Sequence, residues 1–600
     1  MEQPRRRGRT SDAERAERRN EILDVAVDSF RDVGFARTTI EGIATVAGVA
    51  KRTVYSYFGD KSAVFAAAVA RQHAYVDDAG EGQSDLLAAA VDIVIALHSD
   101  NSIALHRMMI GEAVQFPELA AAFYESGPAK SIAFLEKILI DQHGQKAALL
   151  DWVSNSVIWF RRDLRVGDLP TLTAAADAGG QTLGLFVLDE KLLGPAGSPR
   201  QNQLFANLSA LDNQLDGRLM VVRGDPADVV PRVAESVGAE EVHISGDYGP
   251  YGRRRDAAVA EKVELIATGS PYAVAPGRVT KADGDPYKVF TPYFRQWMEH
   301  GWRGPASTDA GTVRWFDPSE KDGGPRRVSI PAQSGTVSDV VGEAGALEQW
   351  KEYCENDLDR YDDERNRPDL DTTSRMSIPL KYGTIHPRTM LADLSKRLGD
   401  GAQAYRRQLA WRDFYADILF QRPDSARKNY DDKFDRLRHD GGVDADAAFT
   451  AWCEGKTGFP IVDAGMRQLA AENWMHNRVR MIVASFLVKD LHIPWWRGAR
   501  YFMSQLVDGD LASNQHGWQW TAGSGTDASP FFRVFNPITQ GEKFDPDGTY
   551  VRRWVPELRD VPGKAVHSLK AMRPVDYPDP IVDHAHEREE ALRRYGEIKG

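Results

Sequence analysis

Residues 156–168 read SVIWFRRDLRVGD, and the rhythm of the chain changes here. VIWF is a short run of β-branched and aromatic residues. LGLFVLD, LMVVRGD and EVHIS repeat that pattern further on, with helical or turn-rich stretches between them. Short apolar runs alternating with helices mark βαβ units, and therefore a parallel sheet wound on both sides by helices. A dinucleotide-binding domain of this type would place GxGxxG after its first strand. RRDLR stands there instead, which removes the main support for a dehydrogenase. The α/β domain is expected to span residues 154–285.

Upstream the pattern is helical. Residues 1–20 hold seven arginines against four acids and read as a basic flexible arm, either a solvated tail or one that touches DNA. Ile22, Leu23, Ala26 and Phe30 then share a helix face that Gly34 ends. A short helix from Thr39 turns Ile40, Ile43 and Ala44 inward, Gly48 supplies a tight turn, and a third helix from Lys51 to Tyr57 carries Lys51, Arg52, Thr53, Tyr55 and Tyr57 outward. That is the layout of a helix-turn-helix, whose second helix fits the major groove. TTIEGIATVAGVAKRTVYSYFGDKSAVFAAAV resembles the DNA-binding domain of TetR-family repressors, over residues 15–70, and residues 85–147 resemble the start of that family's helical ligand-binding and dimerisation domain. The helices that complete a dimer bundle have no room before residue 154. The expected region, 21–150, is therefore a truncated one, without the paired half-site reading that operator-specific repression needs.

Downstream, residues 286–345 are rich in Gly, Pro and Ser and read as a connector, and residues 346–590 read as an all-helical domain dense in Trp, Arg, Asn and Asp. The 600 residues are about four times the ~150-residue domain prior, so several cores are required. Lys and Arg number 75 against 87 Asp and Glu, a net charge of −12, so any nucleic-acid contact must use a local basic surface. Two cysteines exclude a disulfide framework and a cysteine-rich zinc module. No apolar run reaches the ~18 residues of a membrane span, and MEQPRRRGRT lacks the apolar core of a signal peptide, so a cytoplasmic protein without a membrane partner is expected.

The helical region concentrates groups suited to a flat aromatic cofactor and a phosphodiester. DTTSRMS (371–377) gathers hydroxyls and an arginine ahead of a helix start, a favourable place for phosphate. WMHNRVRM (474–481) sets Asn477, Arg480 and Met481 on adjacent or shared helix faces. DGDLASNQHGWQW (508–520) combines two carboxylates, an amide and two indoles. Asp508 and Asp510 alone do not make a metal site, because the further ligands it needs are not evident nearby. No metal is expected.

WFRRDLRVGD, DTTSRMS, LAWRDFY, GFPIVDAGMRQL, WMHNRVRMIVASFLVKDL, YFMSQLVDGDLASNQHGWQW and GTDASPFFRVFNP closely resemble class I DNA photolyases, in the family's order, from residue 156 to about 590. The resemblance implies an α/β antenna domain, an all-helical domain holding FAD, and light-driven repair of cyclobutane pyrimidine dimers. It implies that Tyr361, Thr373, Ser374, Arg375, Met376 and Ser377 hold the FAD phosphates and ribityl chain, and that Asn477, Arg480, Asp508 and Asp510 surround its rings. Arg480 and Asp508 would form a buried ion pair. Asn514 would face the redox-active nitrogen, where a neutral amide can both donate and accept. Plant cryptochromes place an aspartate there, so Asn514 favours repair over a blue-light-responsive regulator.

On the substrate side the resemblance implies that Trp411 and Trp520 sandwich a flipped-out lesion, as aromatic plates do for an extruded base. Arg412, Arg478 and Arg533 match phosphate-contacting arginines. Gln408 stands where many bacterial members carry a glutamate that bonds the pyrimidine carbonyls. Enzymes that repair (6-4) photoproducts have two histidines where this chain has Asn477 and Met481, neither of which can donate the proton that chemistry needs. Trp518 and Trp495 match the inner and middle members of an electron-transfer chain. Its outer tryptophan is missing from LRHDGGVDADAAF, leaving Tyr430 as a substitute or a weaker photoreduction. DYGPYGRRRD (247–256) looks closer to binders of an 8-hydroxy-5-deazaflavin antenna than to binders of a reduced folate. The expected partner is UV-damaged DNA, bound by a monomer.

Overall fold

The computed structural model describes residues 12–72, 154–320, 323–527, 533–569 and 573–598, with scattered helical positions between 91 and 137. The chain divides into two compact units, residues 1–153 and 154–600.

In the first unit, helices Asp12–Arg37, Ile40–Val46, Lys51–Phe58 and Lys61–Gln72 follow one another. Gly34, at φ 80°, breaks the first. Thr39 caps the second, its hydroxyl accepting the Gly42 N–H at 3.0 Å. Ile22, Leu23, Ala26, Phe30, Ile43, Val54 and Phe65 are fully buried. The Lys61 ammonium donates to the carbonyls of Phe35 and Thr38 at 2.8 and 3.0 Å, tying the fourth helix to the end of the first. One expectation needs correction: the flexible arm of residues 1–20 is helical from Asp12 onward. Its acids and arginines alternate at helical spacing, and Arg18 meets Glu21 at 3.6 Å. Residues 1–11 and most of 73–150 lie outside the described residues.

In the second unit, strands β1 (Ser154–Phe160), β2 (Gly179–Leu188), β3 (Leu219–Arg223), β4 (Ala239–Ile244) and β5 (Glu264–Ala267) form one sheet in the order β3-β2-β1-β4-β5, all pairs parallel. Side chains alternate across it. Ile158 and Phe160 join the cluster of Leu172, Leu208 and Leu211, whereas Val157 and Trp159 join that of Val230, Val233 and Val259. Both faces are thereby buried by helices, as a parallel sheet requires. Helices Pro170–Ala176, Pro226–Ser236 and Pro250–Ala260 each begin on a proline, whose fixed φ and missing N–H suit a first turn.

The stretch 286–345, read as a connector, holds helix Phe290–His300, which buries Phe290, Tyr293 and Trp297 at spacings of three and four. The glycine and proline around it masked that period. Beyond lie Gly342–Asn356, Ser377–Tyr382, the long Asp400–Gln421, Pro460–Glu472, Asn477–Lys489, Trp495–Gln505, Leu511–Ala522 and His584–Glu597. Val479, Ile482, Val483, Phe486 and Leu487 place Asn477–Lys489 at the centre of the helical core. The sheet and the helical part meet at Gly383, which ends Ser377–Tyr382 in the left-handed region (φ 69°). A Cβ there would lie 1.9 Å from the Arg162 carbonyl oxygen, so no larger residue fits.

Candidate functional site

Helices Asp400–Gln421, Asn477–Lys489 and Leu511–Ala522, with the turn before Ser377, enclose a cavity of about 590 Å³. It gathers Tyr361, Thr373, Ser374, Arg375, Met376, Ser377, Gln408, Trp411, Arg412, Asn477, Arg478, Arg480, Met481, Asp508, Asp510, Asn514, Trp518 and Trp520 around one space. Up to 160 residues of sequence separate these groups, and the fold brings them together. Trp495 and Arg533 are not among the residues lining it.

The cavity wall is polar and under-satisfied. Thr373 Oγ1, Asp508 Oδ1, Trp474 Nε1 and Trp518 Nε1 are buried with no hydrogen-bond partner. Such groups are costly unless a ligand meets them, so the wall fits a large polar cofactor of the FAD kind. The Arg480 guanidinium donates to Asp508 Oδ2 at 2.8 Å and to the Met475 carbonyl at 2.8 Å. His476 caps Asn477–Lys489 by accepting the Arg478 N–H on Nδ1, which requires a neutral ring. Burial, with Arg478 and Arg480 beside it, pushes its pKa down to about 4. Ser374 shares a hydrogen bond of 2.7 Å with the Tyr405 hydroxyl.

Asp510 caps Leu511–Ala522 through the Ser513 N–H and pairs with Arg162, from the turn after β1, at 2.8 Å. Burial alone would raise its carboxyl, yet Arg162, Lys381 and Arg412 hold it below the usual carboxylate range. Lys381 lines the cavity, and burial, followed by repulsion from Arg162, lowers its ammonium to about 7. Asn514 Nδ2 donates to the Ala499 carbonyl at 3.1 Å and to Gln515 Oε1 at 2.8 Å. Both donor positions are thus used, and the amide oxygen remains as the acceptor.

Trp411 and Trp520 line the same cavity as Asn514. Gln408 lies one turn before Trp411 on Asp400–Gln421. The three arginines expected at phosphates differ. Arg533 is exposed, and its carbonyl accepts from Lys489 at 2.9 Å. Arg478 is half-buried, donating to Asn366 Oδ1 at 2.6 and 3.1 Å. Arg412 is committed to the carbonyls of Pro271 (2.8 Å) and Leu380 (3.2 Å) and lies 4.6 Å over the Tyr272 ring, which makes it a brace of the wall.

Trp518 lines the cavity and packs so closely on Trp495–Gln505 that a Cβ on Gly498 would lie 2.2 Å from its ring. Trp495 belongs to the same buried cluster, donates to Asn429 Oδ1 at 2.9 Å, and its ring centroid is 6.0 Å from that of Trp496. Trp496 is half-buried and 5.4 Å from His439. Tyr430, the expected substitute, packs instead against a different cluster. In the first unit, Arg52 and Tyr55 are exposed, Thr53 is half-buried, and Lys51 pairs with Glu41 at 3.3 Å. Sequence reasoning missed Lys381, Tyr405, Asn366 and Asp527 at the cavity; the first stands in a stretch that looks like an ordinary helix end.

An α/β sheet docked on a helical domain with a polar, indole-lined cavity defines the architecture of a protein that takes a large polar ligand. Residues 156–310 match the DNA photolyase family and 405–597 match the FAD binding domain of DNA photolyase. A deoxyribodipyrimidine photo-lyase of Streptomyces griseus is 42% identical over 468 residues, covering 75% of this chain and 100% of that protein. The Escherichia coli photo-lyase is 38% identical, over 74% and 98% respectively. A bacterial class III photolyase from Agrobacterium tumefaciens superposes with a TM-score of 0.68 at 36% identity, over 74% of this chain and 98% of its own. A Synechocystis cryptochrome does so at 0.66 and 26%, over 73% and 98%. The chain belongs to the DNA photolyase family. Residues 22–68 match bacterial regulatory proteins of the tetR family, and 84–148 match the C-terminal domain of AefR-like transcriptional repressors.

Proposed function

We propose that this protein is a class I photolyase that repairs cyclobutane pyrimidine dimers in UV-damaged DNA. The observation that carries the reading is the convergence of Trp411, Trp520 and Asn514 on one cavity. When bound in its reduced form, FAD would supply the photochemistry, a transient electron loan that lets the two C–C bonds of the dimer break with no net redox change. The residues do the rest. Thr373, Ser374, Arg375 and Ser377 hold the cofactor's phosphate side, and Arg480 and Asp508 hold its rings. The Asn514 amide oxygen would accept from the bound cofactor, and Ala499 and Gln515 keep it turned that way. Trp411 and Trp520 stack the extruded lesion while Gln408 donates to its carbonyls. Asn477 and Met481 leave no proton donor for a (6-4) product.

Trp496 takes the outer place in the electron path. When oxidised flavin is bound, the electron it takes up in light would come from Trp518, which Trp495 refills and Trp496 refills in turn, and a thiol in solution would refill Trp496, losing its proton and ending as a disulfide. For the antenna we favour 8-hydroxy-5-deazaflavin. The sheet order reverses between β1 and β4, and a crevice at such a point is where α/β sheets take ligands. Arg161 and Asp256, at 2.8 Å, and Arg255 and Asp247, at 3.2 Å, border it. The helix Lys51–Phe58 adds sequence-independent DNA affinity through Arg52 and Tyr55.

The test measures affinity of the FAD-loaded protein for matched oligonucleotides carrying no lesion, a cyclobutane dimer or a (6-4) product. Preference for the dimer supports the reading. Equal affinity for all three, or tight binding to one undamaged operator altered by light, would favour a regulator instead.

A further inference from the structure

Trp411 has only one face to offer a ligand. Its other face carries the Phe290 ring, with centroids 3.7 Å apart and planes 8° from parallel. Phe290 is 2% exposed and opens helix Phe290–His300, whose own cap residue, Val289, supplies no side-chain hydrogen bond. That N-terminus is held from elsewhere: the Phe290 N–H donates to Asp527 Oδ1 at 3.1 Å. The Asp527 N–H in turn donates to the Lys288 carbonyl at 2.9 Å, and the Thr526 hydroxyl donates to the same oxygen. Asp527 lines the cavity and sits five residues after the helix that bears Trp520. Its φ of 66° lies in the left-handed region, which an aspartate enters more readily than most non-glycine residues.

We propose that Phe290 and Asp527 are positioning residues that lock the Trp411 plate parallel to its support and tie it to the segment carrying Trp520, so that the gap between the two plates is preset to one flipped dimer. An unsupported indole on the long helix would rotate about its side-chain torsions and lose that freedom on binding. A stacked and capped one has lost it already, which raises affinity for the lesion without any added contact.

The inference rests on the repair reading above, and the FAD-loaded wild-type protein serves as its control. Phe290→Leu, Phe290→Tyr and Asp527→Ala are compared for affinity toward dimer-containing and undamaged oligonucleotides, for flavin content, and for repair under light at saturating DNA. Phe290→Leu and Asp527→Ala are expected to weaken dimer binding by roughly three- to ten-fold. Undamaged-DNA affinity and flavin content stay unchanged, saturated repair by Phe290→Leu stays unchanged, and Phe290→Tyr keeps wild-type affinity. Unchanged dimer affinity in both variants, or an equal loss for damaged and undamaged DNA, overturns the inference. If Phe290→Leu loses flavin, Asp527→Ala alone decides. A wild-type protein that does not prefer the dimer refutes the repair reading and leaves the two plates without this ligand.

Discussion

Arg480 Nη2 lies 2.8 Å from Asp508 Oδ2, and the other oxygen of that carboxylate, on a side chain 2% exposed, is buried without a partner. One half of Asp508 is spent on the protein and the other awaits a donor from the cavity. Removing one member of a buried pair strands the other, at a cost of roughly 3–5 kcal/mol. Arg480→Met is therefore expected to lower the melting temperature and abolish flavin retention. The double variant Arg480→Met, Asp508→Leu should recover melting temperature but not flavin. Thermal melts and flavin absorbance per protein check both.

Trp520→Ala removes one stacking plate. Stacking of a base on an aromatic ring is worth about 1–3 kcal/mol, so dimer affinity should fall roughly 5- to 150-fold. Flavin content should not change, because the cofactor wall is built from other side chains. Trp520→Phe should retain most of the affinity, as measured by fluorescence anisotropy with labelled damaged DNA.

The tryptophan route predicts a selective defect. Trp496→Phe replaces an easily oxidised ring with one that holds its electrons. Light-driven reduction of oxidised flavin in a thiol buffer is expected to slow several-fold, while repair by chemically reduced protein remains at wild-type rate. Tyr430→Phe should leave both rates unchanged. Time-resolved absorption after a flash distinguishes the two variants.

Lys489 is buried, with its ammonium donating to the Arg533 carbonyl, and burial pushes its pKa down to about 7. In the unfolded chain it would titrate near ~10.4. Between those values the unfolded state binds the extra proton, so wild-type stability gains from this group as pH rises from 7 toward 10 and lacks that gain below 7. Lys489→Met removes the dependence. The melting temperature of the variant relative to wild type should be higher at pH 6.5 than at pH 9, with the gap changing by up to roughly 1.4 kcal/mol per pH unit.

Much of this was legible before any coordinates. Alternating short apolar runs identify the sheet because a side chain on a strand must face one layer or the other, and Val157 and Ile158 do so. The cavity residues are legible through motifs that carry their chemistry in a few adjacent positions, such as Asp508, Asp510 and Asn514. Long-range pairings are not. Arg162 reaches Asp510 across 348 residues, a contact that only the docking of sheet on helices creates. Phe290 is hidden by its glycine- and proline-rich surroundings, and the Arg412 guanidinium looks free in sequence because its partners are backbone carbonyls. The helix from Asp12 was masked by an arginine-rich composition that also suits an unstructured arm.

The account turns on a cavity that seats a reduced flavin and an extruded dimer at once. Purified protein, loaded with FAD and chemically reduced, is mixed with an oligonucleotide bearing a single cyclobutane dimer and divided between blue light and darkness. Chromatography then follows the intact lesion. The account predicts that the dimer reverts to its two pyrimidines in light and persists in the dark. Persistence of the dimer under light, in protein shown to hold reduced FAD and to bind the damaged strand, would contradict it.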